Sequence, residues 1–297
     1  MDRLKRKIDS FLTEWKNTPG HMPLIVKGAR QIGKTEAIEF FASKNYAYRV
    51  EINFVLQKQY KDIFDDGFEV DTILKNISLK DPSLEFVPGE TLIFFDEIQD
   101  CINCATSLKS FREDGRYDVI CSGSLMGINY QEIESNSVGN KEDYEMYSLD
   151  FEEYLWAKGY KPEQIEDLYR SMLELRPLSK VEYEVMLENF REYMVLGGMP
   201  AIVFSFVTQK NYSGTLKQQR QIILDYEEDI TKYAAGLDRG KILNIYRKIP
   251  MFLGKENKKF QISKVAQNAR NRDYIGTVDW LNNAGIINVC YCMEQPE

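Results

Sequence analysis

The sequence predicts an α/β chain, with a covered parallel sheet in its first half and helices in its second. Three observations predict it. Short apolar runs at Leu24–Lys27, Thr91–Phe95 and Tyr117–Cys121 read as buried strands. Helical stretches separate them, and strands alternating with helices pair in parallel. Beyond residue 150, strand signals become few and helical periodicity dominates.

Taken in order, residues 4–16 form an amphipathic pattern with Leu4, Ile8, Phe11, Leu12 and Trp15 on one stripe. The first strand, Leu24–Lys27, leads into a helix from Lys34 to Ser43. Tyr48–Asn53 alternates like a strand, and the Pro88-Gly89 turn introduces Thr91–Phe95. Ser107–Glu113 ends a helix that Gly115 stops. Tyr117–Cys121 follows, then Glu145–Leu149 as a fifth strand. Residues 151–158, 162–175, 179–194 and 213–233 read as helices, broken at Gly197-Gly198-Met199-Pro200. Boundaries near 150 and 236 divide the chain into 1–150, 151–235 and 236–297.

Composition excludes several classes. With 43% hydrophobic and 28% charged residues, a 297-residue chain supports a real core. No apolar run reaches the roughly 18 residues of a membrane span. The start, MDRLKRKIDSFLTEWK, lacks the apolar stretch of a signal peptide. The five cysteines are unevenly spread, which argues against a disulfide framework and for a reducing, cytoplasmic setting. Cys101-x-x-Cys104 has no second pair at ribbon spacing, so structural thiols are the reading set against a metal site. The one histidine, His21, has no triad or metal pattern around it and reads as a surface residue. Any catalysis must rest on carboxylates, Lys, Arg and a metal.

The net charge of −8 argues against non-specific nucleic-acid binding by the whole chain. The charge is uneven, however. Residues 236–297 hold ten Lys/Arg against six Asp/Glu, a net +4, so the remainder carries −12.

Gly28-Ala29-Arg30-Gln31-Ile32-Gly33-Lys34-Thr35 fits GxxxxGK[ST] between an apolar strand and a helix. Such a loop wraps backbone N–H groups around an anion, and glycines at the closest approaches avoid a clash. The helix opening at Lys34, with Glu36 in its first turn, adds its positive end. Lys34 supplies a charge to the β- and γ-phosphates, and the Thr35 hydroxyl is a Mg²⁺ ligand. Arg30 and Gln31, inside the loop, read as solvated rather than catalytic.

Asp96-Glu97 ends the buried strand Leu92–Phe95. Ligands of open α/β sheets sit at the carboxyl ends of the strands. Asp96 is therefore a candidate for holding Mg²⁺, and Glu97 for activating the water behind the γ-phosphate. Val119–Cys121 ends similarly in Ser122-Gly123-Ser124. If this strand lies between the other two, Ser122 or Ser124 reaches the water or γ-phosphate, against the alternative of a tight turn. Arg112 and Arg116 read as surface arginines, set against an arginine offered to another subunit's nucleotide.

With these residues in place, the chain resembles the prokaryotic AAA-type P-loop ATPases that carry a C-terminal domain of unknown function. The resemblance runs through GARQIGKT, LIFFDEIQ and VICSGSLM. It continues through YEMYSLDFEEYLWAKG (144–159), YMVLGGMPA (193–201), DITKY (229–233) and RDYIGTVDWLNNAGII (272–287). It implies a P-loop NTPase sheet of strand order 5-1-4-3-2, with Gly28–Thr35 as Walker A loop, Asp96-Glu97 as Walker B acids and Ser122–Ser124 as the first sensor region. It also implies a helical lid over 151–235 and a winged-helix-like segment over 236–297. The family usually continues into a nuclease-like fold. This chain stops soon after Tyr291, so that part is expected to be absent or truncated.

The aromatics of the lid (Tyr154, Trp156, Tyr160, Phe190 and Tyr193) read as core, and Arg191 as a residue that could approach the nucleotide. In the tail, helices at 241–253, 263–268 and 273–284 and a strand at 286–292 suggest a helix-turn-helix with a wing. Lys255, Lys258, Lys259, Lys264, Arg270 and Arg272 offer phosphate contacts to DNA. Against that stand Asp273 and Asp279 on the same helix, which favour a solvated basic face. The expected activity is Mg²⁺-dependent ATP hydrolysis coupled to a conformational switch. The alternatives are a nucleotide-gated DNA-binding regulator and a P-loop phosphotransferase. Self-association or a protein partner stays open, as does ATP against GTP; no membrane is expected.

Overall fold

The computed structural model describes residues 3–125, 137–234, 238–256, 260–266, 270–274 and 276–290. Among these, helix α1 (Lys7–Asn17) precedes strand β1 (Leu24–Gly28) and α2 (Lys34–Asn45). Next come β2 (Tyr48–Asn53), α3 (Val70–Lys80), β3 (Thr91–Asp96), α4 (Ile102–Asp114), β4 (Asp118–Ser124) and β5 (Glu142–Glu145). A helical region follows: α5 (Phe151–Ala157), α6 (Pro162–Leu173), α7 (Lys180–Leu196), α8 (Pro200–Gln209) and α9 (Thr215–Tyr233). The described tail holds α10 (Arg239–Leu253) and α11 (Thr277–Asn283).

The five strands form one sheet in the order β2-β3-β4-β1-β5, all pairs parallel. Read from the other edge, this is the expected 5-1-4-3-2. β3 is buried at every position because it lies inside the sheet with both faces covered, hence the unbroken run Leu92–Phe95. On one face Phe95 packs with Phe54, Phe64 and Phe111. On the other, Val26, Ile38, Phe94 and Ile120 join Ile8, Leu12 and Trp15 of α1, so the amphipathic N-terminal helix closes the core. The same cluster takes in Tyr226 of α9 and Ala284 just past α11. The tail and the Gly28–Thr35 side of the sheet thus share one core.

Several boundaries differ from the sequence reading. The fifth strand is Glu142–Glu145 rather than Glu145–Leu149. It is an edge strand of half-exposed Glu-Asp-Tyr-Glu, so it lacks the apolar signal of a buried strand. Met146 N–H still donates to Lys27 O at 2.7 Å, and Leu149 N–H then turns away to Gly198 O at 2.7 Å. Helix α8 begins directly at Pro200, which fits a first helical position, so Gly197–Met199 separates α7 from a helix where only a break was expected. α3 also escaped the reading. In the tail, the helix expected at 263–268 is, among the described residues, a short 3-10 turn, Ile262–Lys264, with 267–268 outside them. The helix expected at 273–284 shortens to Thr277–Asn283, opened by Gly276 at φ 78°. Residues 286–290 carry no strand pairing. Lys258, Lys259 and residues 291–292 lie outside the described residues.

Candidate active site

Because the strands run parallel, their carboxyl ends lie along one rim. Register places Gly28 opposite Ser124 and Asn53 opposite Asp96. The loop Gly28–Thr35 rises from β1 and enters α2 with Gly33 at φ 88°, a left-handed turn that suits glycine. Gly28 is required for a second reason: a Cβ there would lie 2.2 Å from the Met146 carbonyl oxygen. β5 and the loop can approach only across a bare backbone.

Lys34 folds back over the loop, its Nζ donating to Gly28 O at 3.0 Å and Ala29 O at 2.7 Å. Burial pushes its ammonium down to about 8, against the opposing pull of Glu97 and Asp96; the nearby Arg30 charge lowers it further. Thr35 Oγ1 donates to Asp96 Oδ2 at 3.3 Å, and Asn53 Nδ2 reaches the same oxygen at 2.8 Å. Ser122 Oγ donates to Asp96 Oδ1, and Glu97 N–H donates to that oxygen at 3.0 Å. Asp96 is therefore held by four groups from four segments.

The loop, α2 and the acids line a cleft of about 750 Å³. Arg30, Gln31, Gly33, Lys34, Thr35, Glu36, Asp96 and Glu97 form its polar side. Leu4, Pro200, Ala201 and Phe204 form an apolar wall. A concave site with an apolar end and a few convergent polar groups suits a nucleotide-sized ligand. Ser122 and Ser124 are buried and lie behind the acids, outside the cleft lining. Ala29 and Ile32 are turned into the core. Arg191, exposed on α7, does not line the cleft either.

Arg30 is not solvated as expected. Its guanidinium pairs with Asp229 on α9 at 2.6 Å and donates to Tyr233 Oη at 3.0 Å. Gln31 Nε2 reaches Asp225 Oδ2 at 2.8 Å, and the Tyr226 hydroxyl donates to Arg30 O at 2.8 Å. One face of α9 is laid on the loop, since positions four apart share a helix face.

Sequence reading also missed Arg6. It is buried, donating from Nη1 to Ile32 O at 2.8 Å and from Nη2 to Tyr147 O at 2.6 Å. Its Nε pairs with Glu153 at 3.1 Å. Nothing in the local sequence marks an arginine on an amphipathic N-terminal segment as buried; only the fold brings Glu153 to it. Asn53 escaped for the same reason.

The remaining candidates fall elsewhere. His21 pairs with Asp118 at 2.8 Å, at the amino end of β4 and so across the sheet from the cleft. Arg116 is engaged by Asp71 and Asp114, and Arg112 by Gly139 O. Cys101 and Cys104 are core thiols, with burial raising Cys101 to about 11. Among the described residues no group of three or more His, Cys, Asp or Glu side chains forms a metal cage.

Two family models match the sequence. A family model described as an AAA domain matches residues 20–155, and one for a domain of unknown function (DUF8612) matches 187–297. No curated protein matches the sequence. Among solved structures, AMPPCP-bound DnaA from Aquifex aeolicus is 12% identical over 92% of this chain and 85% of that chain, with TM-score 0.40. The Thermotoga maritima RuvB Holliday junction branch migration motor is 13% identical over 95% and 88%, with TM-score 0.41. The Aeropyrum pernix ORC1 protein in complex with DNA is 12% identical over 95% and 82%, with TM-score 0.35. Residues 20–155 thus match an AAA domain and residues 187–297 a domain of unknown function, the pairing that the sequence motifs resemble.

Proposed function

We propose that the cleft binds ATP and hydrolyses it, and that turnover moves the helical region 151–235 against the core 1–150. The observation that supports this reading is the convergence of Lys34, Thr35, Asp96 and Glu97 on one rim of the sheet. Backbone N–H groups of Gly28–Thr35 and the N-terminus of α2 take the phosphates, and Lys34 exchanges its loop carbonyls for phosphate oxygens. Glu36 follows in the first turn. The apolar wall of Leu4, Pro200, Ala201 and Phe204 takes the base, so the N-terminal segment and α8 both feel the nucleotide.

The Thr35 hydroxyl and an Asp96 carboxylate oxygen, 3.3 Å apart at the cleft floor, are hard oxygen donors that suit Mg²⁺. Bound there, the ion would neutralise charge on the phosphates. Asp96 is kept in place by Asn53 and Ser122. Ser122 and Ser124 contribute as the sensing end of β4, through the acids they stand behind. Glu97 orients the attacking water and accepts its proton. Charge in residues 236–297 leaves DNA as an activator to be tested, and the chemistry suits a cytoplasmic ATP pool.

Glu97→Gln tests the reading. Affinity for a fluorescent ATP analogue should be retained, while steady-state phosphate release falls about 10²–10⁴-fold, the usual contribution of a positioned general base. Release that survives Glu97→Gln would overturn it. ADP formation that requires a small acceptor and yields little free phosphate would favour a phosphotransferase, and a biological response intact in Glu97→Gln would favour a regulator that only binds.

A further inference from the structure

The side chain of Gln99 spans two strand ends. It is buried, at 5% exposure. Its Nε2 donates to Glu97 Oε2, and its Oε1 accepts from Ser124 N–H at 3.1 Å. The partners fix which way the amide faces, because an ionised carboxylate only accepts and a backbone N–H only donates. Reversed, the amide would set carbonyl against carboxylate and N–H against N–H.

Two further features belong to the same device. Glu97 sits at φ 56°, a left-handed conformation that a non-glycine residue keeps only where its surroundings hold it. Gly123 leaves the end of β4 bare: a Cβ there would lie 3.1 Å from Gln99 Oε1 and 3.2 Å from Ile98 Cγ1. The Ser-Gly-Ser stretch thus addresses both acids. Ser122 holds Asp96 through its hydroxyl, and Ser124 holds Glu97 through Gln99.

We propose that Gln99 is a positioning residue that aims the Glu97 carboxylate into the cleft and ties it to the end of β4. This rests on the reading of Glu97 as the group that orients water. Gln99 does not line the cleft; it works through Glu97.

The test uses the full chain and steady-state phosphate release from MgATP, with analogue affinity measured alongside. Gln99→Ala should lower kcat by about 10²-fold, the cost of misplacing a reacting group by roughly 1 Å. KM and analogue affinity should stay at wild-type values. Gln99→Glu keeps the shape and the acceptor for Ser124 N–H but loses the donor, and should lower kcat at least as far; it carries the test if Gln99→Ala unfolds. Gly123→Ala, which crowds the amide, should also lower kcat with KM unchanged. In a Glu97→Gln background, Gln99→Ala should change nothing further, whereas a merely structural residue would lower the residual turnover again. Wild-type kcat in both Gln99 variants, beside a dead Glu97→Gln, overturns this proposal alone. So does an additional loss in the double variant. A wild-type chain without phosphate release, indistinguishable from Glu97→Gln, overturns the hydrolase reading and this proposal with it.

Discussion

Arg30 Nη1 lies 2.6 Å from Asp229 Oδ1, joining the crest of the phosphate loop to a helix 199 residues further along the chain. Burial raises the Asp229 carboxyl, and the Arg30 charge opposes that rise only in part. Asp229 belongs to the DITKY stretch, whose Tyr233 takes the other guanidinium nitrogen. Replacing Asp229 with Asn should destabilise the protein by about 1.5–3 kcal/mol, the range for a hydrogen bond to a charged group. Urea unfolding would measure it, and amide exchange should show faster opening of 225–233. Unchanged exchange there would mean that α9 does not depend on the loop.

Lys34 predicts a pH dependence. Burial holds its ammonium down to about 8 in the folded chain, against 10.5 for an unburied lysine. Between those values the unfolded chain binds more protons than the folded one, so this group makes stability rise with pH across that window. Below about 8 the buried charge costs stability in full. Lys34→Met should therefore be more stable than wild type at pH 7, with the gain fading towards pH 10.5. Analogue binding should respond oppositely, weakening above about pH 8 as the ammonium is lost. Lys34→Arg, charged throughout, should bind with a flat profile.

Arg6 satisfies a carboxylate and two carbonyls from a buried position. Arg6→Ala leaves Glu153 buried without its charge partner, and breaking such a pair costs about 3–5 kcal/mol. Thermal or urea unfolding checks the loss. Arg6→Ala with Glu153→Gln should recover part of it, since no unpaired charge then remains.

Removing divalent cations should abolish phosphate release while leaving the fold intact, because Asp96 already has protein partners on both oxygens. Thr35→Ala should raise the Mg²⁺ concentration needed for half-maximal release. Circular dichroism with EDTA checks the first statement, and a Mg²⁺ titration the second.

The parts of this fold that announce themselves in sequence are those governed by local chemistry. Leu92–Phe95 is apolar throughout because both faces of β3 are covered, and Gly28 and Gly33 stand where a side chain would clash or a turn bends left. The strand order came from resemblance, since strand neighbours are not encoded by spacing. β5 was misplaced because an edge strand needs no apolar face. Arg6 and Asn53 were missed because their partners lie on other segments, Gln99 because its link to Ser124 does, and Arg30 was misjudged because Asp229 is distant in sequence. A polar side chain's role depends on what the fold brings to it, and that information is non-local.

Ala284 and Tyr226 pack in one cluster with Val26 and Ile32. Neither family segment therefore has a complete interior of its own. Residues 20–155 produced alone would present greasy surface to water and should precipitate or recruit chaperones. A chimera exchanging either half between relatives should fold only when the residues facing that seam travel together.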